Sequence, residues 1–196
     1  MGPPCPTFIE QRIHHFGTLK TLCNKEKVIL IFSVPDDFRS VFLVIKQSQP
    51  DELYFLTGQS SVRVSFEQPA ETSQNTVVGT LNMLEAIRMA DSEIRFYNAC
   101  SSECFGETQG NPANKLAPFN PRSSYAVAKA SSYWLVDNYR EAYHLYGSTG
   151  ILFNHESLLR PAKFVTQKII STAKRIAAGS NEKLTLGRMC ISRDWD

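Results

Sequence analysis

The sequence lacks any hydrophobic run long enough to cross a membrane. Its longest uninterrupted apolar stretches, Val28 to Phe32 and Val41 to Ile45, are short, whereas a membrane-spanning helix needs roughly 20 apolar residues. A basic start followed by an apolar core, which is typical of a secretory signal, is also missing. These absences predict a soluble, cytoplasmic protein with no membrane partner.

Charge of one sign is not in excess either. The chain has 21 Lys and Arg residues against 19 Asp and Glu residues, which leaves a net charge of +2. Nucleic-acid-binding proteins concentrate positive charge, so this balance argues against a nucleic-acid partner. Hydrophobic residues make up 42% of the 196 residues and charged residues 20%, which is typical of a folded protein with a sizeable core.

The cysteines form no paired framework. There are five, an odd number, and they are widely spread: Cys5, Cys23, Cys100, Cys104 and Cys190. An oxidising compartment would leave one unpaired, so reduced thiols in the cytoplasm are expected. Cys100 and Cys104 stand four residues apart, but no second ligand pair follows at zinc-site spacing. We therefore predict no metal site and interpret these two cysteines as packing residues.

The ten glycines never occur with the spacing GxGxxG or GxxGxxG. Such a loop lets the backbone approach a dinucleotide pyrophosphate at the N-terminus of a helix. The sequence therefore predicts no loop of this kind.

Hydrophobic patterning alternates between short apolar runs and longer segments with helical periodicity. The runs predict strands and the periodic segments predict helices, separated before the third helix by an irregular loop at 107–121. The predicted strands are Lys27 to Val34, Leu53 to Gly58, Ile94 to Ala99 and Gly150 to Phe153; the predicted helices are 38–47, 73–90, 125–146 (with Gly147 beyond its end) and 165–178. The alternation predicts an α/β fold, an incomplete Rossmann-like, doubly wound parallel sheet with flanking helices.

A tyrosine and a lysine in the third helix form the strongest chemical motif. Tyr125 and Lys129 are four residues apart, so their side chains share one face of the helix. A nearby ammonium lowers the cost of forming a phenolate. Ser101 follows the third strand, at the sheet edge where open α/β folds hold ligands, and can donate a hydrogen bond there. The alternative is that YxxxK is a chance pair on a surface helix.

Several segments together are similar to those of one enzyme family. They are QPDELYFLTGQSSVRVSFEQP (49–69), GTLNMLEAIR (79–88), SSECFGE (101–107), PFNPRSSYAVAK (118–129), NYREAY (138–143), GILFNHES (150–157), FVTQKI (164–169) and LGR with RDW (186–195). The chain from about Gln49 to Trp195 resembles the GDP-mannose 4,6-dehydratases, which are extended short-chain dehydrogenase/reductases.

The resemblance implies a lyase that converts GDP-mannose to GDP-4-keto-6-deoxymannose by an internal redox dehydration with NADP, in GDP-fucose-type nucleotide-sugar synthesis. Tyr125 matches the residue that takes the proton of the sugar 4-hydroxyl, and Ser101 matches its hydroxyl partner. Glu103 matches the base that removes the C5 proton. Lys129 matches the lysine that binds the cofactor ribose and stabilises the phenolate.

The resemblance also implies binding residues. Cofactor contacts are expected from the loop after the second strand and from the segment after the fourth, together with Lys129: Leu56, Thr57, Gly58, Gln59, Ser60, His155 and Arg160. Asn154 and Lys168 fall in segments placed near the sugar nucleotide. A buried core position is the alternative for His155. Family members tend to assemble, so a homo-oligomer is plausible.

The sequence departs from the family pattern where the cofactor pyrophosphate binds. The family's first strand–helix unit with its glycine-rich loop is not found, so NADP binding by this chain is expected to be weak. The expected organisation is a poorly defined segment at 1–26, a truncated NAD(P)-binding Rossmann-like domain at 27–180, and at 181–196 the start of a sugar-nucleotide-binding domain. There are two alternatives: a catalytically dead fragment with at most a binding role, or another extended short-chain enzyme such as an epimerase. Epimerisation at C4 needs no C5 base, so Glu103 argues against the latter.

The absence of the family's first strand–helix unit also leads to a prediction for the sheet. The apolar run Lys27 to Val34 would be left as an unpaired, exposed edge. We therefore expect it to pair in parallel with Leu53 to Gly58, with helix 38–47 as the crossover.

Overall fold

The computed structural model describes residues 29, 31–58, 60–90, 93–157, 162 and 164–187. The helices and strands within these residues follow one another in the order α1 (Phe38–Ser48), β1 (Glu52–Phe55), α2 (Val62–Glu67), α3 (Pro69–Ser73), a π-helical turn (Gln74–Val78), α4 (Gly79–Ala90), β2 (Arg95–Ser101), a 3₁₀ turn (Ser102–Phe105), α5 (Ser124–Tyr143), β3 (Gly147–Leu152) and α6 (Val165–Ala177). None of these helices is long and apolar enough to span a membrane.

The three strands form one parallel sheet in the order β1–β2–β3. Phe55 lies opposite Asn98, and Ser101 at the end of β2 lies opposite Leu152. Helices α2 to α4 connect β1 to β2, and α5 connects β2 to β3. The predicted α/β fold with a parallel sheet is confirmed. Because all strands are parallel, their carboxyl ends meet at one edge of the sheet.

The main core lies between the sheet and the helices α1, α4 and α5. Its buried residues come from every one of these elements and from the turns beside them: Val41, Ile45, Phe55, Leu84, Ala86, Ile87, Ile94, Phe96, Val136, Tyr139 and Leu145. Val41 and Ile45 are one turn apart on α1, so they share its inner face. Asp37 caps this helix by accepting a hydrogen bond from the backbone N–H of Arg39 at 3.1 Å, as expected for an acidic side chain at a helix start.

The helical segment before β2 is longer than predicted and contains a π-helical turn. The pattern predicted its start at Ser73, but helix already begins at Pro69, which occupies a position in the first turn where proline is tolerated. In the π turn, the carbonyl of Thr76 accepts hydrogen bonds from the hydroxyls of Thr80 (2.7 Å) and Ser132 (3.2 Å). Ser132 belongs to α5, so the π turn fastens the crossover to the helix that carries Tyr125 and Lys129.

The predicted end of α5 is wrong by three residues. The helix ends at Tyr143, and His144 takes the left-handed conformation that closes it, at φ 57°. Gly147 instead begins β3. A Cβ on Gly147 would stand 2.9 Å from Cγ1 of Val136, so this glycine is needed for close packing of β3 against α5 and not for helix termination.

The expected pairing of Lys27 to Val34 with β1 is also wrong for the residues that are described. Residues 29 and 31–34 carry no strand; Lys27, Val28 and Leu30 lie outside the described residues. The backbone of Val34 is engaged in the turn that starts α1: its N–H donates to Ser40 Oγ at 2.9 Å, and its carbonyl accepts from the N–H of Asp37 at 3.0 Å. Those groups are therefore not available for a ladder.

The irregular loop at 107–121 is confirmed, and one glycine allows it to close against the end of β2. Gly106 follows the 3₁₀ turn at φ +63°. The N–H of Asn120 donates to the carbonyl of Cys104 at 2.9 Å, which returns the loop to the turn. This close return leaves no space for a side chain at position 106.

We predict that Gly106→Ala destabilises the chain far more than Gly110→Ala. Both glycines have positive φ, but an added Cβ at Gly106 overlaps the backbone carbonyl of Asn120, whereas nothing lies within 4 Å of one at Gly110. The expected loss in free energy of unfolding is about 3 kcal/mol or more at Gly106 and about 1 kcal/mol at Gly110, where only the backbone conformation is strained. Urea denaturation measures both. Equal losses would contradict the close return of the loop.

We predict that Tyr139→Phe lowers the free energy of unfolding by about 1–2 kcal/mol at neutral pH. The phenol donates to Glu85 Oε1 at 2.6 Å and links α5 to α4. Arg88, and after it Tyr139, hold the pKa of Glu85 below its ordinary value of 4.5. A carboxyl whose pKa is lowered by folding stabilises the fold fully at pH values above its ordinary pKa. This stabilisation is lost as the pH falls through the folded-state pKa. The difference between the variant and the parent should therefore shrink in acid below pH 4.5.

The matched control for Tyr139→Phe is Tyr146→Phe, whose ring is 65% exposed. We expect a change within about 0.5 kcal/mol for it. If the loss in free energy of unfolding caused by Tyr139→Phe did not depend on pH, the phenol would pack without stabilising the Glu85 carboxylate.

Candidate active site

A cleft of about 430 Å³ opens at the carboxyl edge of the sheet, beside the start of α5. It is lined by the ends of all three strands and by the segments that follow them: Leu56, Gly58, Ser60, Val62, Ala99, Cys100, Ser101, Ser102, Glu103, Tyr125, Lys129, Leu152, Phe153, Asn154, His155, Glu156, Phe164 and Val165. This is the place where open parallel sheets hold ligands. The four residues expected to be catalytic all face this one cleft.

Ser101 and Glu103 are positioned by the turn at the end of β2. Ser101 is extended, and its Oγ accepts a hydrogen bond from the N–H of Glu103 at 3.3 Å, which starts the 3₁₀ turn. Because this bond uses an oxygen lone pair, the hydroxyl hydrogen of Ser101 remains able to donate. The turn thus places a hydroxyl donor and a carboxylate two residues apart at the cleft.

Tyr125 and Lys129 are presented by the first two turns of α5. Ser123 caps this helix by accepting from the N–H of Ala126 at 3.1 Å. The Lys129 ammonium lies 6.0 Å from the centre of the Tyr125 ring and donates to the carbonyl of Ala99 at 2.7 Å. Lys129 is only 7% exposed. This hydrogen bond anchors α5 to β2 at Ala99, two residues before Ser101 at the edge of the cleft.

Burial shifts the pKa values of these two residues in opposite directions. It raises the pKa of Tyr125 above its usual 10, and the hydrogen bond with the Ser101 hydroxyl opposes this shift. It lowers the pKa of Lys129 below its usual 10.5. The sequence led us to expect that Lys129 would lower the pKa of Tyr125; the pKa is instead raised, because burial outweighs the hydrogen bond with the Ser101 hydroxyl. In this environment Tyr125 is a neutral phenol at neutral pH.

The loop after β1 contributes only part of the expected cofactor set to the cleft. Leu56, Gly58 and Ser60 line it, whereas Thr57 does not. Gly58 has φ +119°, and a Cβ there would stand 3.0 Å from the Thr76 hydroxyl of the π turn. Only glycine fits both the conformation and the space. Gln59 lies outside the described residues.

The segment after β3 contributes Asn154 and His155. The alternative that His155 is a core residue is wrong, since this side chain is exposed at the cleft. Its Nδ1 lies 2.9 Å from the carbonyl of Phe153; because a carbonyl only accepts, Nδ1 is the donor in this contact. Lys168 is in the first turn of α6 and does not line the cleft, and Arg160 lies outside the described residues.

Nine cleft residues were not among the predicted site residues: Val62, Ala99, Cys100, Ser102, Leu152, Phe153, Glu156, Phe164 and Val165. Five of them lie at a strand end or in the turn after β2. Of the other four, Val62 begins α2, Phe164 precedes α6, Val165 begins it, and Glu156 follows His155. The signal for Glu156 was present, because the segment NHES directly follows a strand. Nothing in their local sequence distinguishes the three apolar residues, which reach the cleft only through the path of the chain. In the part of the chain that is described, no group of three or more candidate metal ligands occurs.

Solved structures share the fold of this chain. The RMD protein of Pseudomonas aeruginosa, complexed with NADPH, matches with a TM-score of 0.78 and 24% sequence identity, over 86% of this chain and 58% of that one. DesIV, a dTDP-glucose 4,6-dehydratase of Streptomyces venezuelae with NAD and TYD bound, matches with a TM-score of 0.66 and 18% identity, over 72% of this chain and 43% of that one. At these identities the likeness concerns the fold alone.

Sequence comparison goes further. The chain is 49% identical over 191 residues to a GDP-mannose 4,6-dehydratase of Sinorhizobium fredii, covering 96% of this chain and 54% of the relative. It is 41% identical over 192 residues to GDP-mannose 4,6 dehydratase 2 of Caenorhabditis elegans, covering 96% and 50%. The chain thus spans about half the length of these curated relatives. The family model described as GDP-mannose 4,6 dehydratase matches residues 5–196, which extends the resemblance well before Gln49. The chain belongs to the GDP-mannose 4,6-dehydratase family.

Proposed function

We propose that this chain carries the reaction centre of a GDP-mannose 4,6-dehydratase, a lyase that converts GDP-mannose to GDP-4-keto-6-deoxymannose with NADP. The observation that carries the proposal is the convergence of Ser101, Glu103, Tyr125 and Lys129 on one cleft, in a chain of this family. The reaction needs a hydroxyl donor, a phenol and a carboxylate base within reach of one sugar ring, and this cleft supplies all three.

The described residues fit one half of the cofactor. Lys129 and His155, which both line the cleft, are suited to the hydroxyls of a nicotinamide ribose, and the loop of Leu56, Gly58 and Ser60 borders the same space. The pyrophosphate half is different, because the 196 residues contain no glycine-rich loop. When bound, NADP supplies the redox chemistry: a ring that can hold the hydride lost from C4 of the sugar until it returns to C6.

Tyr125 and Ser101 act on the sugar 4-hydroxyl. Ser101 donates a hydrogen bond to the 4-oxygen, and Tyr125 takes the proton from it as C4 is oxidised. Burial raises the pKa of Tyr125, so the phenol must be deprotonated with help from a nearby positive charge. The Lys129 ammonium, 6.0 Å from the ring, is the cation that this chain provides.

Glu103 carries out the elimination. A ketone at C4 acidifies the C5 proton; the carboxylate of Glu103 removes this proton and passes it to the departing 6-hydroxyl, which leaves as water. The proton that Tyr125 took from the 4-hydroxyl is then available to C5 when C6 is reduced. Its position in the turn directly after Ser101 places the base beside the group that holds the 4-oxygen. This base distinguishes the proposed dehydration from a C4 epimerisation, which requires no group at C5.

Three wider features belong to the same proposal. Residues 27–180 form the cofactor-binding part and 181–196 lead into the sugar-nucleotide part, with 1–26 before them. The protein acts in the cytoplasm, and it assembles as a homo-oligomer. A catalytically dead chain is the competing proposal, favoured by the missing glycine-rich loop.

We predict that the chain binds NADP weakly, because the backbone donors for the pyrophosphate are missing. Isothermal titration calorimetry should give a dissociation constant weaker than about 10 μM, that is, a binding free energy smaller in magnitude than about 7 kcal/mol. Lys129→Met should weaken the remaining binding further, whereas Lys46→Met on the distant α1 should leave it unchanged. Submicromolar binding would show that other residues supply the pyrophosphate donors.

We predict that Glu103→Gln and Tyr125→Phe stop the reaction at different steps. With millimolar NADP, the parent chain should form the 4-keto-6-deoxy sugar nucleotide. Glu103→Gln should form a 4-keto product that keeps its 6-hydroxyl, with one reduced cofactor for each product formed, since oxidation needs no C5 base. Tyr125→Phe should form neither product. Mass spectrometry of the sugar nucleotides distinguishes these species.

The matched control is Glu107→Gln, an exposed carboxylate on the following loop that does not line the cleft. We expect it to keep the parent rate. Full 6-deoxy product from Glu103→Gln would remove Glu103 from the mechanism. A parent chain without turnover at saturating NADP would refute the proposed function.

A further inference from the structure

Two buried thiols lie against each other directly behind the cleft. The Sγ atoms of Cys100 and Cys104 are 3.3 Å apart, and the two residues are only 3% and 0% exposed. Cys100 is the penultimate residue of β2, and Cys104 lies in the 3₁₀ turn. The three residues between them are Ser101, Ser102 and Glu103. Any covalent link between the thiols would therefore enclose two of the proposed catalytic residues in a small ring.

Each thiol also contacts the helix that carries Tyr125 and Lys129. Cys100 Sγ donates to the carbonyl of Lys129 at 3.5 Å, and Cys104 Sγ donates to the carbonyl of Ala126 at 3.6 Å. Both distances are in the range of weak hydrogen bonds of sulfur. In the reduced form, then, the two S–H groups attach the turn of Ser101 and Glu103 to the first turns of α5.

We propose that Cys100 and Cys104 are a redox modification site: a small peroxide entering the cleft converts them to a disulfide, which displaces the Ser101–Glu103 turn from α5. The loss of activity that follows rests on the proposed function, whereas the modification itself does not. The sequence suggested only packing for these two cysteines.

The two thiols differ in position relative to the cleft and in reactivity. Cys100 is one of the residues that line the cleft, so a small peroxide would approach its buried sulfur from this side. When Cys100 is a thiolate, the S–H of Cys104 can point to it instead of to the Ala126 carbonyl. This hydrogen bond lowers the pKa of Cys100 and raises the pKa of Cys104. Because the thiolate is the nucleophile, Cys100 is the attacking thiol and Cys104 the resolving one.

The chemistry balances with one hydrogen peroxide per pair. The Cys100 thiolate attacks one peroxide oxygen, the O–O bond breaks, and hydroxide leaves, which takes up the proton released from Cys100 and becomes water. The sulfur of Cys104 then attacks the Cys100 sulfenic acid, an S–S bond forms, and a second water leaves with the Cys104 proton. Two thiols are oxidised by two electrons and the peroxide is reduced to two waters.

The disulfide changes the local structure in two ways. The sulfurs must approach from 3.3 Å to the covalent distance of about 2.05 Å, which pulls the turn toward the end of β2. Both S–H donors disappear, so the carbonyls of Lys129 and Ala126 lose their contacts with the turn. Ser101 and Glu103 then no longer face Tyr125 and Lys129 in the arrangement described above.

Peptide mass spectrometry tests the modification. The reduced full chain is treated with hydrogen peroxide, and free thiols are then alkylated. Trypsin cleaves after Arg95 and Lys115, so one peptide contains both cysteines. We expect this peptide to lose about 2 Da and to resist alkylation. Cys104→Ala should give instead a Cys100 sulfenic acid that reacts with dimedone. Cys190→Ser, the control for an unrelated thiol, should form the disulfide as the parent does.

Hydrogen exchange tests the structural consequence without any need for activity. Oxidation should speed amide exchange at residues 101–106 and 123–130 by about tenfold, leave exchange in α1 unchanged, and be reversed by dithiothreitol. Cys104→Ala should show no such change on oxidation. Alkylation of both cysteines after peroxide treatment, or pairing of either with another cysteine, would overturn the proposal, as would a disulfide that leaves this exchange unaltered.

Activity provides a third, separable readout. If the reduced chain turns over GDP-mannose at saturating NADP, oxidation should lower the rate at least about tenfold, reversibly; an undiminished rate would overturn the proposal. A reduced chain with no turnover refutes the proposed function instead, and the mass and exchange measurements still decide the modification site.

Discussion

A charged ammonium lies almost fully out of water where α5 crosses the end of β2, and the rest of the cleft depends on how this charge is held. Burying an unpaired ammonium is costly, so Lys129 must keep its hydrogen bond to the Ala99 carbonyl. That bond sets the position of α5 along β2. It thereby sets the distance from Tyr125, one turn earlier on the helix, to Ser101, two residues later on the strand. The thiols of Cys100 and Cys104 reinforce the same junction.

The described residues bring the four proposed catalytic residues to one cleft, whereas the 196-residue sequence contains no glycine-rich loop. The strands β2 and β3, the helix α5 and the loops between them lie within residues 95–152, all of which the structure describes. A dinucleotide pyrophosphate requires backbone donors from a glycine-rich loop, which the 196 residues do not contain. Under the proposed function, the reacting groups and the pyrophosphate donors would therefore come from different parts of the sequence.

Most elements of the fold were predictable because their signals are local. The helix at 38–47, the strand at 94–99 and the helix at 165–178 agree with α1, β2 and α6 to within two residues. The predictions that were wrong concern features that depend on tertiary contacts. The run Lys27 to Val34 has strand composition, but its described residues form no ladder, since Val34 is hydrogen-bonded into the turn before α1. Gly147 follows the predicted helix as a terminating glycine would, but the need for a glycine at this position comes from its close packing against Val136.

The sequence by itself predicted the α/β alternation from Phe38 onward and, through its resemblance to a known family, the candidate residues Ser101, Glu103, Tyr125 and Lys129, because strand and helix periods and short motifs are properties of neighbouring residues. Only the tertiary structure decided the electrostatics of that set and its surroundings. It raised the pKa of Tyr125 through burial, exposed His155, left Thr57 and Lys168 outside the cleft, and brought the two thiols to 3.3 Å. Burial and contact between distant segments arise only when the chain packs, so no local pattern could have specified them.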